Sequence, residues 1–379
     1  MMLDYESLRL IWWILVAVLL VGYAIMDGFD LGVGTLLPFV AKTDIERRVL
    51  INAIGPTWDG NQVWLVLGAG AIFAAWPAIY ATAFSGMYVA MLVVLFALFL
   101  RPVGFDYRSK IESPIWRTTW DYALFLGGMV PAVVIGVAYG NFLQGVPFHF
   151  DETFRSFYTG GFIDLLNPFA LLAGFVSLSM LVMHGATFLL IKTEGVIQFR
   201  ALKASRIAAL TTIVLFSVAG FWIANGIEGF RIVSVIDYQA PSTPFAKEVI
   251  MEVGAWMNNF HQHPWMWIAP LLGIAGAVIV LLLGHKKPGF SWIASGASVT
   301  GIAGTAGLAM FPFILPSSTH PSQSLLMWDA TSSQHTLWLM LIAAAIFMPI
   351  ILAYTAWVFR VLRGKVTEEQ IRDNEHTAY

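Results

Sequence analysis

Three aspartates lie inside apolar stretches that are long enough to cross a bilayer. Asp27 and Asp30 belong to the run Tyr-Ala-Ile-Met-Asp-Gly-Phe-Asp-Leu-Gly-Val-Gly, and Asp59 belongs to Pro-Thr-Trp-Asp-Gly-Asn-Gln-Val-Trp. A charged carboxylate near the middle of an inserted helix costs about 2.5–3.5 kcal/mol, so such groups usually face protein or trapped water and mark proton or ion routes. We therefore expect a polar seam across about two helices.

The spacing of these carboxylates predicts how they act together. Asp27 and Asp30 are three residues apart, so on a helix they share a face. Asp59 is predicted to lie about 13 Å along a second helix from its cytoplasmic start, with Asn61 and Gln62 available to hold water beside it. A carboxyl buried there can carry a proton. The alternative is helix packing through Asp hydrogen bonds, aided by glycines that permit close backbone approach. These glycines are Gly28, Gly32, Gly34 and Gly60.

The composition is typical of an integral membrane protein. Hydrophobic residues make up 58% of the 379 residues and charged residues 12%, which is incompatible with a soluble globule of this size. The absence of cysteine excludes disulfides, thiolate catalysis, Cys-ligated zinc and iron–sulfur clusters. The first apolar run is longer than a signal-peptide core and has no small-residue cleavage site, so we expect a permanent anchor.

Apolar runs of about 20 residues or more predict nine membrane helices. The predicted helices are Leu8 to Val40, Leu50 to Trp76, Ala78 to Leu100, Trp120 to Phe142, Phe162 to Ile191, Ser205 to Gly226, Pro264 to Gly284, Phe290 to Ile314 and Gln334 to Arg360. The first is too long for one perpendicular span, so we expect it to tilt or to extend into the cytoplasm.

The basic residues predict the orientation. With the N-terminus outside, 17 of the 21 basic residues fall on the cytoplasmic side. They are Lys42, Arg47, Arg48, Arg101, Arg108, Lys110, Arg117, Lys192, Arg200, Lys203, Arg206, Lys286, Lys287, Arg360, Arg363, Lys365 and Arg372. Such an asymmetry follows the positive-inside rule. The sequence therefore predicts a single polytopic membrane domain over residues 1–379, with the C-terminus in the cytoplasm.

Two further patterns bear on organisation. The chain has no glycine-rich phosphate loop and no basic aromatic stripe, so nothing supports a nucleotide or nucleic-acid partner. Trp58-Asp59 and Trp328-Asp329 each stand near the start of a predicted helix, which hints at a weak internal duplication. Their spacings differ and their predicted membrane sides are opposite, so an inverted repeat is the less favoured interpretation.

Histidines are the residues to consider for haem, because membrane haems are usually held by side chains inside helices. Only His184 lies deep within a predicted span, and it has no partner at matching depth for a bis-histidine site. A hydrogen-bonded core or cavity histidine is therefore the better interpretation of His184.

Six sequence blocks, in this order, resemble a known family over essentially the full length. They are Asp-Gly-Phe-Asp-Leu-Gly-Val-Gly, Trp-Asp-Gly-Asn-Gln-Val-Trp, Phe-Ala-Ala-Trp-Pro, Arg-Pro-Val-Gly-Phe-Asp-Tyr-Arg, Gly-Asn-Phe-Leu-Gln-Gly-Val-Pro and Met-Trp-Asp-Ala-Thr-Ser-Ser-Gln. The chain resembles subunit II of cytochrome bd quinol oxidase, a bacterial inner-membrane enzyme of the respiratory chain that oxidises quinol and reduces O2 to water.

The resemblance implies a fold, a partner and a division of labour. It implies an all-α membrane protein of nine helices, arranged as two four-helix bundles plus a peripheral helix. Subunit I, the implied partner, would carry haem b and haem d, so that this chain has no haem or metal of its own and no catalytic residue. The family has a polar proton path from the cytoplasm, and Asp59 and Lys110 match positions associated with it.

Asp27 and Asp30 are expected to line or shape the same path. Some relatives hold a structural quinone in subunit II, and small single-helix accessory subunits and membrane lipid are further expected partners. Which residues of this chain would bind a cofactor stays open.

Two other functions fit the same carboxylates. A proton- or cation-coupled secondary transporter would need them too, although the chain has no helix breaks placed symmetrically in two halves. A structural membrane scaffold would differ only in what the aspartates do.

Overall fold

Helices make up most of residues 3–373, the part of the chain that the computed structural model describes. The α-helices of this part are α1 (Tyr5–Met26), α2 (Gly28–Val40), α3 (Asp44–Ile54), α4 (Trp58–Ala75), α5 (Pro77–Gly86), α6 (Tyr88–Tyr107), α7 (Pro114–Gln144), α8 (Pro168–Lys192), α9 (Gly195–Asn225), α10 (Asn258–Gln262), α11 (Ile268–Leu283), α12 (Pro288–Met310), α13 (Gln334–Val361) and α14 (Glu368–Asp373). The end of the predicted cytoplasmic tail, with His376 and Tyr379, lies outside the described residues.

Short antiparallel ribbons connect helices at the end of the bundle that carries Tyr5, which we call the outer end. β1 (Phe148–Phe150) pairs with β2 (Ser156–Tyr158), β3 (Glu228–Ile232) with β4 (Val249–Val253), and β5 (Phe313–Leu315) with β6 (Leu325–Leu326). The sequence did not predict these ribbons because each strand has five residues or fewer. The prediction of an essentially all-helical membrane protein is nonetheless confirmed.

The number of membrane spans also agrees with the prediction. Within the described residues, eight helical segments are long and apolar enough to cross a membrane, and the bent pair α4 and α5 gives up to nine. The first segment runs from Tyr5 to Val40 and contains a break at Asp27, where α1 ends and α2 begins. At 1.5 Å per residue, a helical segment of 36 residues is longer than the roughly 30 Å thickness of a hydrocarbon core.

The predicted second helix, Leu50 to Trp76, is wrong in its first part. α3 ends at Ile54 and α4 begins only at Trp58. Pro56 lies between them, and a proline has no backbone N–H with which to continue the helical hydrogen bonds. α3 is therefore a separate helix, capped at its start by reciprocal hydrogen bonds between Thr43 and Glu46.

The predicted third helix, Ala78 to Leu100, is also displaced. Pro77 starts the short helix α5, which turns by 119° from α4, and the spanning helix α6 begins at Tyr88. Proline is favoured at the first position of a helix and so starts a new one here. At its other end α6 continues to Tyr107, seven residues beyond the prediction, and this extension determines where Arg101 lies.

Close backbone contacts hold α2 against α7 and α8. A Cβ at Gly185 of α8 would lie 2.6 Å from the carbonyl carbon of Gly32 in α2, and a Cβ at Gly34 would lie 3.2 Å from the carbonyl oxygen of Leu124 in α7. Only glycine permits helices to approach so closely. α2 is thereby held against both α7 and α8.

The later helices α8, α9, α11 and α12 contact one another in a closed ring. Of the earlier helices, α2 and α7 pack against α8 as well as against each other. α13 is the most peripheral, with only 6% of its apolar stretch buried within the chain. The predicted division into two four-helix bundles stays a prediction.

Candidate functional site

The break between α1 and α2 positions a buried ion pair. Asp27 stands at this break with no solvent exposure, and Arg101 of α6 is 3% exposed. The Arg101 guanidinium donates two hydrogen bonds to Asp27, of 2.9 Å from Nη1 to Oδ2 and 2.7 Å from Nη2 to Oδ1. This two-point geometry is the strongest that a carboxylate and an arginine form.

Sequence reasoning placed Arg101 in a cytoplasmic segment, which is wrong. It lies inside α6, six residues or about 9 Å before the helix ends at Tyr107. The apolar residues Val103 and Phe105 beyond it, and a buried carboxylate in need of a cation, were the signals that could have identified it.

Asp30, one turn further along α2, is buried beside the same arginine. Its Oδ2 accepts a hydrogen bond of 2.8 Å from Asn61 Nδ2 of α4, while its Oδ1 has no hydrogen-bond partner. Asp30 and Arg101 border a cavity of about 10 Å³, otherwise lined mainly by apolar side chains of α2, α3, α6 and α7. Such a volume holds about one water molecule.

The predicted polar seam is therefore only partly assembled within this chain. Asp27, Asp30, Asn61 and Arg101 lie together, as a cluster that we call the inner cluster. Asn61 contacts Asp30 and does not hold water beside Asp59 as predicted, since residues two apart on a helix point to different sides.

Asp59 does not lie 13 Å along its helix as predicted. Because Pro56 ends α3 early, Asp59 is the second residue of α4, and its side chain is exposed. Among the described residues it has no hydrogen bond or ion pair. A carboxylate in the first turn of a helix is favoured by the helix dipole. The next residue, Gly60, faces α13, where a Cβ would lie 3.5 Å from the Tyr354 hydroxyl.

Lys110 is exposed at the end of a short 3-10 turn, Arg108–Lys110, which follows α6. Within the described part of the chain, no hydrogen bond or ion pair joins it to the inner cluster or to Asp59. Next to it, Asp121 accepts hydrogen bonds of 2.6 Å from both Arg47 and Arg108. Arg108 also donates to Asp44 at 2.9 Å. This network holds the helix connections beside Lys110 in place.

His184 has the surroundings of a core histidine. Its Nδ1 lies 2.7 Å from Ser295 Oγ, and its Nε2 lies 3.1 Å from the carbonyl oxygen of Ile25. Since a carbonyl only accepts, Nε2 carries the hydrogen, and Nδ1 is within hydrogen-bonding distance of the Ser295 hydroxyl. With both nitrogens engaged, His184 does not fit the role of an axial haem ligand, and the hydrogen-bonded interpretation is confirmed.

Comparison with known proteins identifies the family. A sequence profile described as cytochrome bd terminal oxidase subunit II matches residues 8–362. The chain belongs to this family. The subunit II family also includes "Cytochrome bd-I ubiquinol oxidase subunit 2" of Escherichia coli strain K12, which is 52% identical over 379 residues and all of both chains. A Haemophilus influenzae protein named "Probable cytochrome oxidase subunit 2" is equally similar, at 52% over both full lengths.

A more distant relative and a solved structure also match over nearly the whole chain. "Cytochrome bd ubiquinol oxidase subunit 2" of Bacillus subtilis is 32% identical over 364 residues, covering 96% of this chain and 98% of the relative. A solved chain of the bd oxidase from Geobacillus thermodenitrificans superposes with a TM-score of 0.70 at 16% identity, covering 94% of this chain and 98% of that one. At that identity the likeness concerns the fold alone.

Proposed function

We propose that this chain is the haem-free companion subunit of a cytochrome bd quinol oxidase and that it carries part of the cytoplasmic proton path. Membership of the subunit II family makes it part of a terminal oxidase, in complex with a subunit I and in the bacterial inner membrane. The names of the relatives in Escherichia coli and Bacillus subtilis support ubiquinol as the electron donor. The transporter hypothesis loses its support, because it rested only on the same carboxylates.

The observation that carries the proton path is the contrast between Asp59 and Asp30. Asp59 is exposed at the inner end of α4, where a proton from the cytoplasm can reach it. Asp30 is buried deeper, beside a water-sized cavity, with one carboxyl oxygen free of any partner. Buried carboxylates of this kind mark proton relays in membrane proteins. Asp59 is therefore proposed as the entrance and Asp30 as an inner carrier.

Asp27 has a different proposed part. Its two oxygens are both engaged by Arg101, so we assign it to shaping the path and holding the positive charge of Arg101 in place. Lys110, exposed at the inner surface, is proposed to lie near the entrance.

Subunit I is proposed to cover the face formed by α4 and α13. This face carries exposed apolar side chains, among them Val66, Phe347 and Trp357. Lipid alone could cover those side chains, but the same face also holds the carboxylate of Asp59, which is costly to expose to lipid. A protein partner would cover the apolar side chains and also surround the Asp59 carboxylate with polar groups or water.

Oxygen reduction needs the haems of the complex, and we propose that haem b and haem d lie on subunit I. The hydrogen bonds of His184 are the support on this chain. A His184→Gln complex should keep every haem band of its optical spectrum. Loss of one band in a complex that still contains both subunits would instead place a haem against this chain. A structural quinone and small accessory subunits stay predictions.

The proton path is tested by Asp59→Asn in the assembled complex, since asparagine keeps the shape and removes the titrating proton. We expect the haem spectrum to be unchanged and quinol oxidase turnover to fall at least about 10-fold, in the range of a lost proton-transfer group. Asp106→Asn is the matched control, because Asp106 is another exposed carboxylate near the inner end of α6. Full turnover in Asp59→Asn, or an equal loss in Asp106→Asn, would refute the assignment.

A further inference from the structure

Two outer segments hold a pair of histidines that have no part in the proposed proton path. One is β1, whose central residue is His149, and the other is the turn that contains His320. The carbonyl oxygen of Phe148 accepts hydrogen bonds from the hydroxyls of Ser317 and Thr319. On the other side of His149, the backbone N–H of Phe150 donates to Gln323 Oε1 at 2.7 Å. Both chain neighbours of His149 are thus fixed to the His320 segment.

The two imidazole rings are in contact. Their centroids are 4.9 Å apart and their planes are inclined by 35°. His149 is half-buried and stacks on Phe157, with a centroid distance of 5.4 Å and an interplanar angle of 16°, which fixes the orientation of its ring. Its Nδ1 is enclosed by protein and has no hydrogen-bond partner. His320 is exposed, so the pair is accessible from the outer surface.

An enclosed ring nitrogen without a partner is uncommon and calls for an explanation, since buried polar atoms are usually hydrogen-bonded. A metal ion bound to this nitrogen would explain why it has no hydrogen-bond partner. With zinc–nitrogen bonds of about 2.0–2.1 Å, two imidazoles on one tetrahedral ion have their ring centres ~5 Å apart. The observed separation of 4.9 Å is close to this value. Neutral imidazole is also a preferred ligand of zinc, copper and nickel, whereas magnesium and calcium prefer oxygen.

We propose that His149 and His320 form a binding site for a divalent transition-metal cation such as Zn²⁺ or Cu²⁺ on the outer face of the complex. Within residues 3–373 no group of three or more His, Cys, Asp or Glu side chains is arranged to hold a metal. The site therefore offers two protein ligands and leaves the remaining positions to water. Such a site binds reversibly, unlike the closed four-ligand sites that stabilise a fold. An ion there would link the connection between α7 and α8 to the one between α12 and α13.

The test is a titration of the chelator-washed, intact oxidase complex with Cu²⁺, followed by electron paramagnetic resonance. We expect one tight site per complex with hyperfine coupling to two nitrogens, displaced by added Zn²⁺. His320→Ala removes an exposed side chain, and His149→Phe keeps the aromatic stacking on Phe157. Each should weaken Cu²⁺ binding at least ~10-fold, with the haem spectrum and metal-free turnover unchanged.

His261→Ala is the matched control, because His261 is exposed on another outer segment. It should leave the titration as in the parent complex. Parent-like Cu²⁺ affinity in both His149→Phe and His320→Ala would overturn the proposal. So would a copper signal without nitrogen coupling, or one that weakens equally in His261→Ala, since either outcome means scattered surface binding.

Discussion

The two ends of the bundle use buried charges in opposite ways. At the outer end, Arg9 has no solvent exposure, and its guanidinium donates to Thr331 and Ser242 hydroxyls and to the backbone carbonyls of Tyr238 and Ala240. In the inner cluster, Asp30 keeps one oxygen without a partner beside a small cavity. A saturated charge holds loops in position, whereas the unpartnered oxygen of Asp30 leaves a place for the proton that we propose this residue to carry.

The two Trp-Asp pairs repeat this contrast. Asp329 is largely buried at the outer end. Lys247 Nζ donates to it at 2.6 Å, and the backbone N–H of Leu326 donates to it at 2.8 Å. Asp59 is exposed at the inner end. The same dipeptide thus serves a closed ion pair in one place and an open carboxylate in the other. A common origin of the two pairs stays a prediction.

The largest loss of stability is expected from breaking the Asp27–Arg101 ion pair of the inner cluster. Arg101→Met leaves the buried Asp27 carboxyl without its partner, which costs about 3–5 kcal/mol. We expect little assembled complex, measured as the yield of haem-containing oxidase. The double variant Asp27→Asn with Arg101→Met removes both charges and should recover much of that yield. If the single variant assembled normally, the pair would not be needed for folding.

Breaking the Lys247–Asp329 ion pair at the outer end should also destabilise the complex, but by less, since the Asp329 side chain keeps 12% exposure. Lys247→Met should cost about 3 kcal/mol, and adding Asp329→Asn should restore most of it. The readout is the Tm of the complex. Equal Tm values for the single and double variants would mean that the two charges do not interact.

The pH dependence of this pair has a definite sign. Burial raises the pKa of Asp329 above its ordinary 3.8, even though Lys247 and the Leu326 N–H oppose it. The folded chain therefore takes up a proton more readily than the unfolded chain, and the contribution of Asp329 to stability falls as the pH rises just above 3.8. As the pH rises through this window, the Tm of the parent complex should fall relative to the Tm of the Asp329→Asn complex.

Packing should matter less than buried charge. A Cβ at Gly32 would collide with the carbonyl oxygen of Leu181 in α8. Gly32→Ala should therefore destabilise the complex by about 1–3 kcal/mol, the usual cost of overpacking. Gly70→Ala is the control, because nothing lies within 4 Å of a Cβ there. A similar Tm for both variants would show that α2 and α8 can separate at no cost.

The smallest effect on stability is expected at Asp59. Its side chain makes no hydrogen bond or ion pair among the described residues, and asparagine keeps its shape and polarity toward the partner subunit, so Asp59→Asn should change the free energy of unfolding by no more than about 0.5 kcal/mol. Together with a loss of turnover, this would separate proton carriage from packing. A loss of Tm like that of Arg101→Met would instead make Asp59 a structural residue.

The sequence predicts the class, the number of spans and the burial of Asp27 and Asp30, because long apolar runs and charged residues inside them are local features. It does not predict where a helix breaks between two apolar runs. Pro56 and Pro77 shift two helix starts, and the first of these shifts moves Asp59 from a buried to an exposed position. Arg101 was missed because its partner lies 74 residues away, a distance that only the packing of α6 against the first span closes.

The neutrality of the Asp27–Arg101 pair has an electrical consequence. One elementary charge moved across the full membrane potential exchanges about 2.3 kcal/mol per 100 mV. Because the two charges cancel within hydrogen-bonding distance, the transmembrane voltage exerts no net pull on the pair and gives it no reason to shift when the membrane is energised. On the proposed path, a proton that moves from Asp59 toward Asp30 would by contrast be a single uncompensated charge. The membrane voltage would then act on that proton and exert no net force on the Asp27–Arg101 pair beside it.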